Sequence, residues 1–339
     1  MANGRKKRQI LPVVRQGAVI LALTCSLLSA TGATGFLSQL ERVTLFGHEY
    51  VRLSDWAQQY RLQWDWGRRE KEITVSGNGA KLQFTVDSRE AQINGVTVYL
   101  SIPVARHGAT PYISTLDLRT TVHPLLFPPK SARGGKVRTI CLDPGHGGRD
   151  PGNLEGTFQE KKLTLLLAED LKKELERTGF KVFLTRTNDV YMELADRPAL
   201  AKRKRADVFV SLHYNSSSDS SVAGCETYCM TPAYASSTNA RGEGADTGAC
   251  PGNKNDARNL ILAWHVQRQL TQKLQSPDRG VRRARFAVLK NATLPAILIE
   301  GAFMSNATDC KKATDSAERK KLAQAIAAGL AAYKKAVEG

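Results

Sequence analysis

Two textures of alternation divide the chain. From about Leu40 to Phe127 the apolar positions recur every second residue in short runs. EITVSG (72–77), KLQFTVD (81–87) and GVTVYLSIP (95–103) read as strands, separated by turn signals at Gly77-Asn78-Gly79 and Asn94-Gly95. One short helix is expected near Leu53–Tyr60. After Lys136 the pattern changes. VRTICLD, KVFLTR, DVFVSLH, GCETYCM, RFAVLK and AILIE read as strands. Between them Leu163, Leu167, Leu171 and Leu175 recur every fourth residue, the stripe of an amphipathic helix that Gly179 ends. Further helices are expected over Met192–Arg205, Asp256–Gln275 and Ser316–Val337. Strands alternating with helices predict an α/β domain, a central mixed sheet of about six strands covered by helices, preceded by a small strand-rich α+β domain.

The boundaries follow from the breakers. Pro128-Pro129 through Gly134-Gly135 reads as a linker, placed at 129–135, between a small domain (36–128) and a larger one (136–339). A Ser/Gly/Asn-rich stretch lies between Met230 and Asp256; a loop of this length is usually functional or mobile. The first 35 residues stand apart. Arg5, Lys6, Lys7, Arg8 and Arg15 precede an apolar run from Gly17 to Ala33 that ends in small residues, the layout of an export signal with cleavage near Ala30 or Ala33. The other reading of this segment is an uncleaved anchor, although it is short for a span of about 20 residues. No second apolar segment of spanning length follows, so no stable membrane span is expected after signal removal.

Charge narrows the class of partner. The chain carries 49 basic and 32 acidic residues, net +17. Five of the basic residues belong to the leader, so the remainder carries +12. A basic exported protein suits an anionic surface such as a cell wall, and export argues against nucleic acid. The scatter of the charge is equally consistent with a plain solvated surface. Five cysteines remain after the leader, an odd number that leaves at least one thiol free. Cys141, inside an apolar strand, is the expected buried thiol. Cys225 and Cys229 sit four apart on one strand, roughly 13 Å at strand rise, too far to pair. A bond between Cys229 and Cys250 would tie down the long loop. No Cys-x-x-Cys pair suggests a cysteine metal cluster.

Four groups carry candidate chemistry, all where strands end or helices begin. Asp143-Pro144-Gly145-His146-Gly147-Gly148 follows the strand VRTICL, and its glycines allow a tight turn that holds His146 at the sheet edge. Glu160 opens the Leu-striped helix, and His213 ends the strand DVFVSL. Two imidazoles and one carboxylate are a known set for catalytic zinc, with the fourth position left to water. Taken singly each has a plain reading: a structural strand-end histidine, or an acid favouring the helix dipole. Glu300 ends the very apolar strand AILIE, where a carboxylate is costly unless it has a partner. His48, His107 and His123 are widely spaced and read as structural, and His265 in LAWHVQ reads as structural or exposed.

These motifs carry a resemblance. LDPGHGGRDPGN, FQEKKLTL, LTRTNDVYMELADRPALAKRKRADVFVSLHYN and DRGVRRARFAVLKNATLPAILIEGAFMSN together resemble the zinc-dependent N-acetylmuramoyl-L-alanine amidases over residues 136–339. The resemblance implies one Zn2+ per chain bound by His146, Glu160 and His213, with Glu300 catalytic. It implies a peptidoglycan substrate, cut at the amide between N-acetylmuramic acid and L-alanine by zinc-activated water, in the periplasm or cell envelope. Gly301-Ala302 after Glu300 departs slightly from the family pattern, and the loop after Met230 has no match in it. The front domain, a candidate wall-binding module, loosely resembles the N-terminal domain of copper amine oxidases, without any three-histidine cluster. Two alternatives stand beside this reading: a catalytically inactive wall-binding module, which retention of all four residues disfavours, and a zinc peptidase acting within the stem peptide. Nucleophilic chemistry fits less well, since Ser211 lies two residues from His213 and no G-x-S-x-G turn exists.

Overall fold

Apolar residues at alternate positions of the N-terminal strands point one way, into the core, and the polar residues between them point to solvent. The computed structural model describes residues 39–67, 71–130, 136–238 and 248–338. The export-signal reading of residues 1–35 and most of the expected linker fall outside these. In chain order the first half contains β1 (Arg42–Leu45), β2 (His48–Arg52), α1 (Leu53–Gln59), β3 (Gln63–Trp66), β4 (Glu72–Gly77), β5 (Ala80–Thr85), β6 (Glu90–Ile93), β7 (Val96–Tyr99), β8 (Ala105–His107) and β9 (Thr110–Ser114). Two short helical pieces, α2 (Thr115–Asp117) and α3 (His123–Leu126), follow around a π-helical turn. Asp117 is buried there and pins the chain, accepting hydrogen bonds from the Ser101 and Ile102 amides at 2.6 and 2.9 Å.

The second half runs β10 (Thr139–Pro144), β11 (Leu154–Glu155), β12 (Phe158–Gln159), α4 (Glu160–Arg177), β13 (Lys181–Leu184), α5 (Asp196–Arg203), β14 (Val208–Asn215), β15 (Cys225–Met230), α6 (Asp256–Lys273), β16 (Asp278–Ala284), α7 (Ala287–Lys290), β17 (Ala296–Phe303), α8 (Ala307–Thr314) and α9 (Ser316–Glu338). Its six sheet strands lie in the order β13-β10-β14-β17-β15-β16, and β7-β6-β5-β4-β3 continue the same sheet to eleven strands. β13, β10, β14 and β17 are mutually parallel, and β15 runs antiparallel to β17. The bridge between the halves is the parallel pair Val281–Val98.

Helices α4, α6 and α9 cover one face. Leu167, Leu171 and Leu175 of the predicted stripe are fully buried, each contributing about 1.5–3 kcal/mol by leaving water. The core is continuous across both halves, joining Ile93 and Val98 to Leu260 and Ile297. Trp264 of α6 reinforces the junction by donating from Nε1 to the Ile93 carbonyl at 3.1 Å. On the opposite face, α5 and α7 cover only the β10–β15 portion, over Cys141, Phe209 and Leu298.

Two expectations are corrected. RFAVLK is not a strand. The strand is the preceding DRGVRRA, and Ala287–Lys290 form α7; arginines at 279, 282 and 283 fall on both faces of the strand and hide its period. The bond between Cys229 and Cys250 is absent, and both thiols are free. Successive strand residues face opposite sides of a sheet. Cys229 therefore joins the α6 side, while Cys250 packs with Met230 on the other, its Sγ 3.9 Å from the Met230 Sδ. Cys141 is a buried free thiol, as its strand position implied, and burial pushes its pKa far up.

Candidate metal centre

The centre sits at the carboxyl ends of β10, β14 and β17, where parallel α/β sheets open to ligands. Beyond β10 the chain turns through Gly145 into His146, which adopts the left-handed conformation (φ 61°). Such a conformation in a non-glycine residue costs about 1–3 kcal/mol and needs its surroundings to hold it. Two buried arginines do so. Arg197 donates to the carbonyls of Pro144 and His146, each at 3.0 Å, and to Asp143 Oδ1 at 3.0 Å. Arg186 donates to the carbonyls of Pro144 at 3.0 Å and Gly145 at 2.7 Å. Asp143 is saturated by Thr185 and Ser211 as well, so Ser211 serves the turn. A side chain at Gly145 would collide with the His213 ring, and one at Gly152 would lie 2.6 Å from Glu160 Oε2.

The structure brings His146, Glu160 and His213 together, with one ligand atom from each within 4.8 Å of the others. Glu160, the first residue of α4, is 1% exposed. Its Oε1 lies 3.0 Å from His213 Nδ1 and its Oε2 lies 3.1 Å from His146 Nε2. The amides of Asn153 and Tyr214 donate to the same carboxylate at 2.9 and 3.1 Å and fix its plane. Asp150 lies 2.8 Å from His146 Nδ1. Accepting that N–H leaves Nε2 as the lone-pair nitrogen facing the cluster. A lone pair 3.1 Å from a carboxylate oxygen repels it unless a proton or a cation lies between. That is an observation in favour of a metal, and the donor set of two imidazoles and one carboxylate matches zinc. Around a tetrahedral ion with bonds of about 2.1 Å, ligand atoms sit about 3.4 Å apart, close to the contacts seen here.

With protons in place of an ion, the same contacts are hydrogen bonds. Burial opposes ionisation of Glu160, but hydrogen bonds from both imidazoles outweigh it and hold the acid far below the usual carboxylate range. Burial likewise disfavours a charged His146, and Glu160 and Asp150 reverse that, raising its pKa.

Glu300 lies beside the cluster in strand register. It pairs with His213 on β14 and with Glu226 on β15, so the three side chains form a row across one sheet face. Its Oε2 is buried with no hydrogen-bond partner among the described residues. Burial first, then the negative Glu160 and Glu226, push its pKa well above the ordinary value. His265 lies apart, half-buried on α6 against Trp264.

Several residues here escaped sequence reading: Arg186, Arg197, Asp150 and Glu226. Arginines read as surface unless a structure buries them. Glu226 had one signal, a lone acid within the otherwise uncharged strand CETYCM.

A mixed α/β sheet with a His-Glu-His set at its strand ends defines the class: an α/β protein able to hold a metal ion at the carboxyl ends of its strands. More narrowly, the chain belongs to the N-acetylmuramoyl-L-alanine amidase family, whose model matches residues 140–332. It is 35% identical over 227 residues to the N-acetylmuramoyl-L-alanine amidase AmiC of Neisseria meningitidis, covering 60% of this chain and 55% of that one. It is 32% identical over 226 residues to the amidase LytC of Bacillus subtilis, covering 67% and 39%. The chain thus spans about half or less of the length of these curated relatives. The crystal structure of the amidase Ami1 of Mycobacterium smegmatis shares the fold, with a TM-score of 0.50 at 18% identity, over 59% of this chain and 99% of that one.

Proposed function

We propose that the chain is a zinc-dependent peptidoglycan amidase that hydrolyses the amide between N-acetylmuramic acid and L-alanine in the periplasm or cell envelope. The observation that carries the reading is the convergence of His146, Glu160 and His213 beside the unpartnered carboxyl of Glu300. Family membership supports the bond assigned, and the basic, leader-like N-terminus supports export. No helix among the described residues is long and apolar enough to cross a membrane.

In this reading His146 Nε2, His213 and Glu160 hold the zinc. When bound, zinc polarises a carbonyl oxygen, acidifies water and favours the ionised form of Glu300. The protein supplies the rest. Asp150 holds the His146 ring in one orientation, and Arg186 and Arg197 hold the turn that carries it. Glu300 Oε2 takes a proton from the attacking water and returns it to the departing amine nitrogen, the work of one positioned acid–base group. The N-terminal region is assigned to the wall, since β3–β7 turn an open polar face, with Gln63, Gln83 and Gln92, to solvent.

Mass spectrometry of purified peptidoglycan after digestion tests the bond. Free stem peptides beginning with L-alanine, with intact glycan, are expected. Fragments cut inside the stem peptide would replace this reading with that of a zinc peptidase.

A further inference from the structure

Past Glu300 the row of charged side chains continues away from the metal centre, and its far end is an arginine with unused donors. Glu226 is 2% exposed and every acceptor position of its carboxylate is filled. Oε1 accepts from Asn215 Nδ2 and the Tyr228 hydroxyl, both at 2.8 Å. Oε2 accepts from Arg279 Nε at 3.0 Å and lies 2.9 Å from Arg282 Nε. The two arginines then differ. Arg282 is 15% exposed, donates from Nη2 to the Tyr99 hydroxyl at 3.2 Å and stacks on that ring, so the N-terminal strand β7 holds it. Arg279 lies over Phe303, 4.8 Å from the ring centroid, and keeps 30% exposure. Its terminal amino groups hydrogen-bond to no described residue. A guanidinium oriented at Nε and on one face, with its outer fork unused, is arranged for a planar anion.

We propose that Arg279 receives a free carboxylate of the stem peptide, so that the cleft reads peptide charge two or three residues beyond the amide that is cut. The proposal rests on the amidase reading and deepens it. Distance supports the assignment. Glu226 is two strands from His213, roughly 10 Å at about 4.8 Å per strand, and an extended peptide covers about 3.4 Å per residue. Arg279 belongs to the next strand, β16, but its side chain reaches back over Phe303 to place Nε 3.0 Å from Glu226 Oε2. The carboxylate of the second or third residue of an extended stem peptide leaving the metal centre along this row therefore comes within reach of Arg279.

The test uses the full zinc-loaded chain and two synthetic N-acetylmuramoyl peptides that differ in one group, a free carboxylate or its primary amide on the second residue. The wild type is expected to favour the acid by about tenfold in kcat/KM, carried mainly by KM, the usual scale of one charge-assisted hydrogen bond. In Arg279→Gln the acid-to-amide ratio falls to about one, whatever the absolute rate, and Arg279→Lys restores part of it. Calorimetric titration of the free alanine-initiated peptides, acid and amide, should give the same preference without turnover. An equal response of the wild type to both substrates overturns the proposal. So does a ratio that Arg279→Gln leaves unchanged, or equal losses on both substrates, which mark a purely structural role. Failure to release peptide from either substrate overturns the amidase reading instead, and the titrations then decide the subsite by themselves.

Discussion

One face of one sheet is used in two ways. Across β3–β7 it carries Gln63, Asp65, Lys81, Gln83 and Gln92, all exposed, and water satisfies each of them. Across β10, β14, β17 and β15 the same face carries Asp143, Ser211, Glu300 and Glu226, all buried or nearly so, and here every charge except Glu300 is matched by a protein partner. The first region is tolerant because solvent replaces any lost contact. The second is demanding because burial leaves a lost contact unreplaced. The one group left unmatched, the Glu300 carboxyl, is the group assigned to move a proton.

The sharpest way to break the contrast is at the metal centre. His146→Ala and His213→Ala should each lose stoichiometric zinc and all measurable turnover, and chelation of the wild type followed by zinc should abolish and then restore activity. His265→Ala should keep its zinc. Elemental analysis checks this, and full activity of metal-free protein would remove the zinc assignment.

The two carboxylates are separated next. Glu300→Gln should retain zinc and fold while turnover falls by roughly 10²–10⁴-fold, the contribution of a positioned acid–base group. Glu160→Gln should weaken metal binding first, since a neutral amide is a poor ligand. The opposite pattern would exchange their roles, and unchanged turnover in both would favour a wall-binding module.

Stability measures the contrast between the regions directly. Arg197→Ala strands the buried Asp143 carboxylate and should cost about 3–5 kcal/mol in denaturant unfolding. Gln83→Ala, on the exposed half of the same face, should stay within about 0.5 kcal/mol. Equal losses would show that the two halves are built alike.

The smallest effect is a pH dependence. Burial, aided by Arg268, pushes His265 down to about 4, below its unfolded value near 6.5. The fold favours the neutral ring. Its contribution is therefore present above about pH 6.5 and fades as pH falls towards 4, by at most about 3 kcal/mol. His265→Gln should flatten the unfolding profile across that window, and a profile that keeps its slope would place the sensitivity elsewhere.

The elements carrying the site were legible because their signals are local. A glycine turn after an apolar run, a leucine every fourth residue and a histidine or glutamate at a strand end can each be read within a dozen residues. The chain's own pattern therefore points to His146, Glu160, His213 and Glu300 together. The supports could not be read this way. Arg186, Arg197 and Glu226 are charged residues, and a charge is buried only when distant segments supply its partner, as Asp143 does for Arg197 across 54 positions. The arginines of DRGVRRA masked β16 for the same reason, and a misplaced strand hid the pairing of Val281 with Val98 that joins the halves.

The amino-acid sequence by itself determined the two textures, the α/β class and the four residues of the candidate centre, because periodicity and turn chemistry act between near neighbours. The tertiary structure alone decided that both halves share one sheet, that Cys229 and Cys250 face opposite sides of it, and that Glu226 and Arg279 extend the row beginning at His213. Those facts depend on strand order and register, which are set by the packing of segments far apart in the chain.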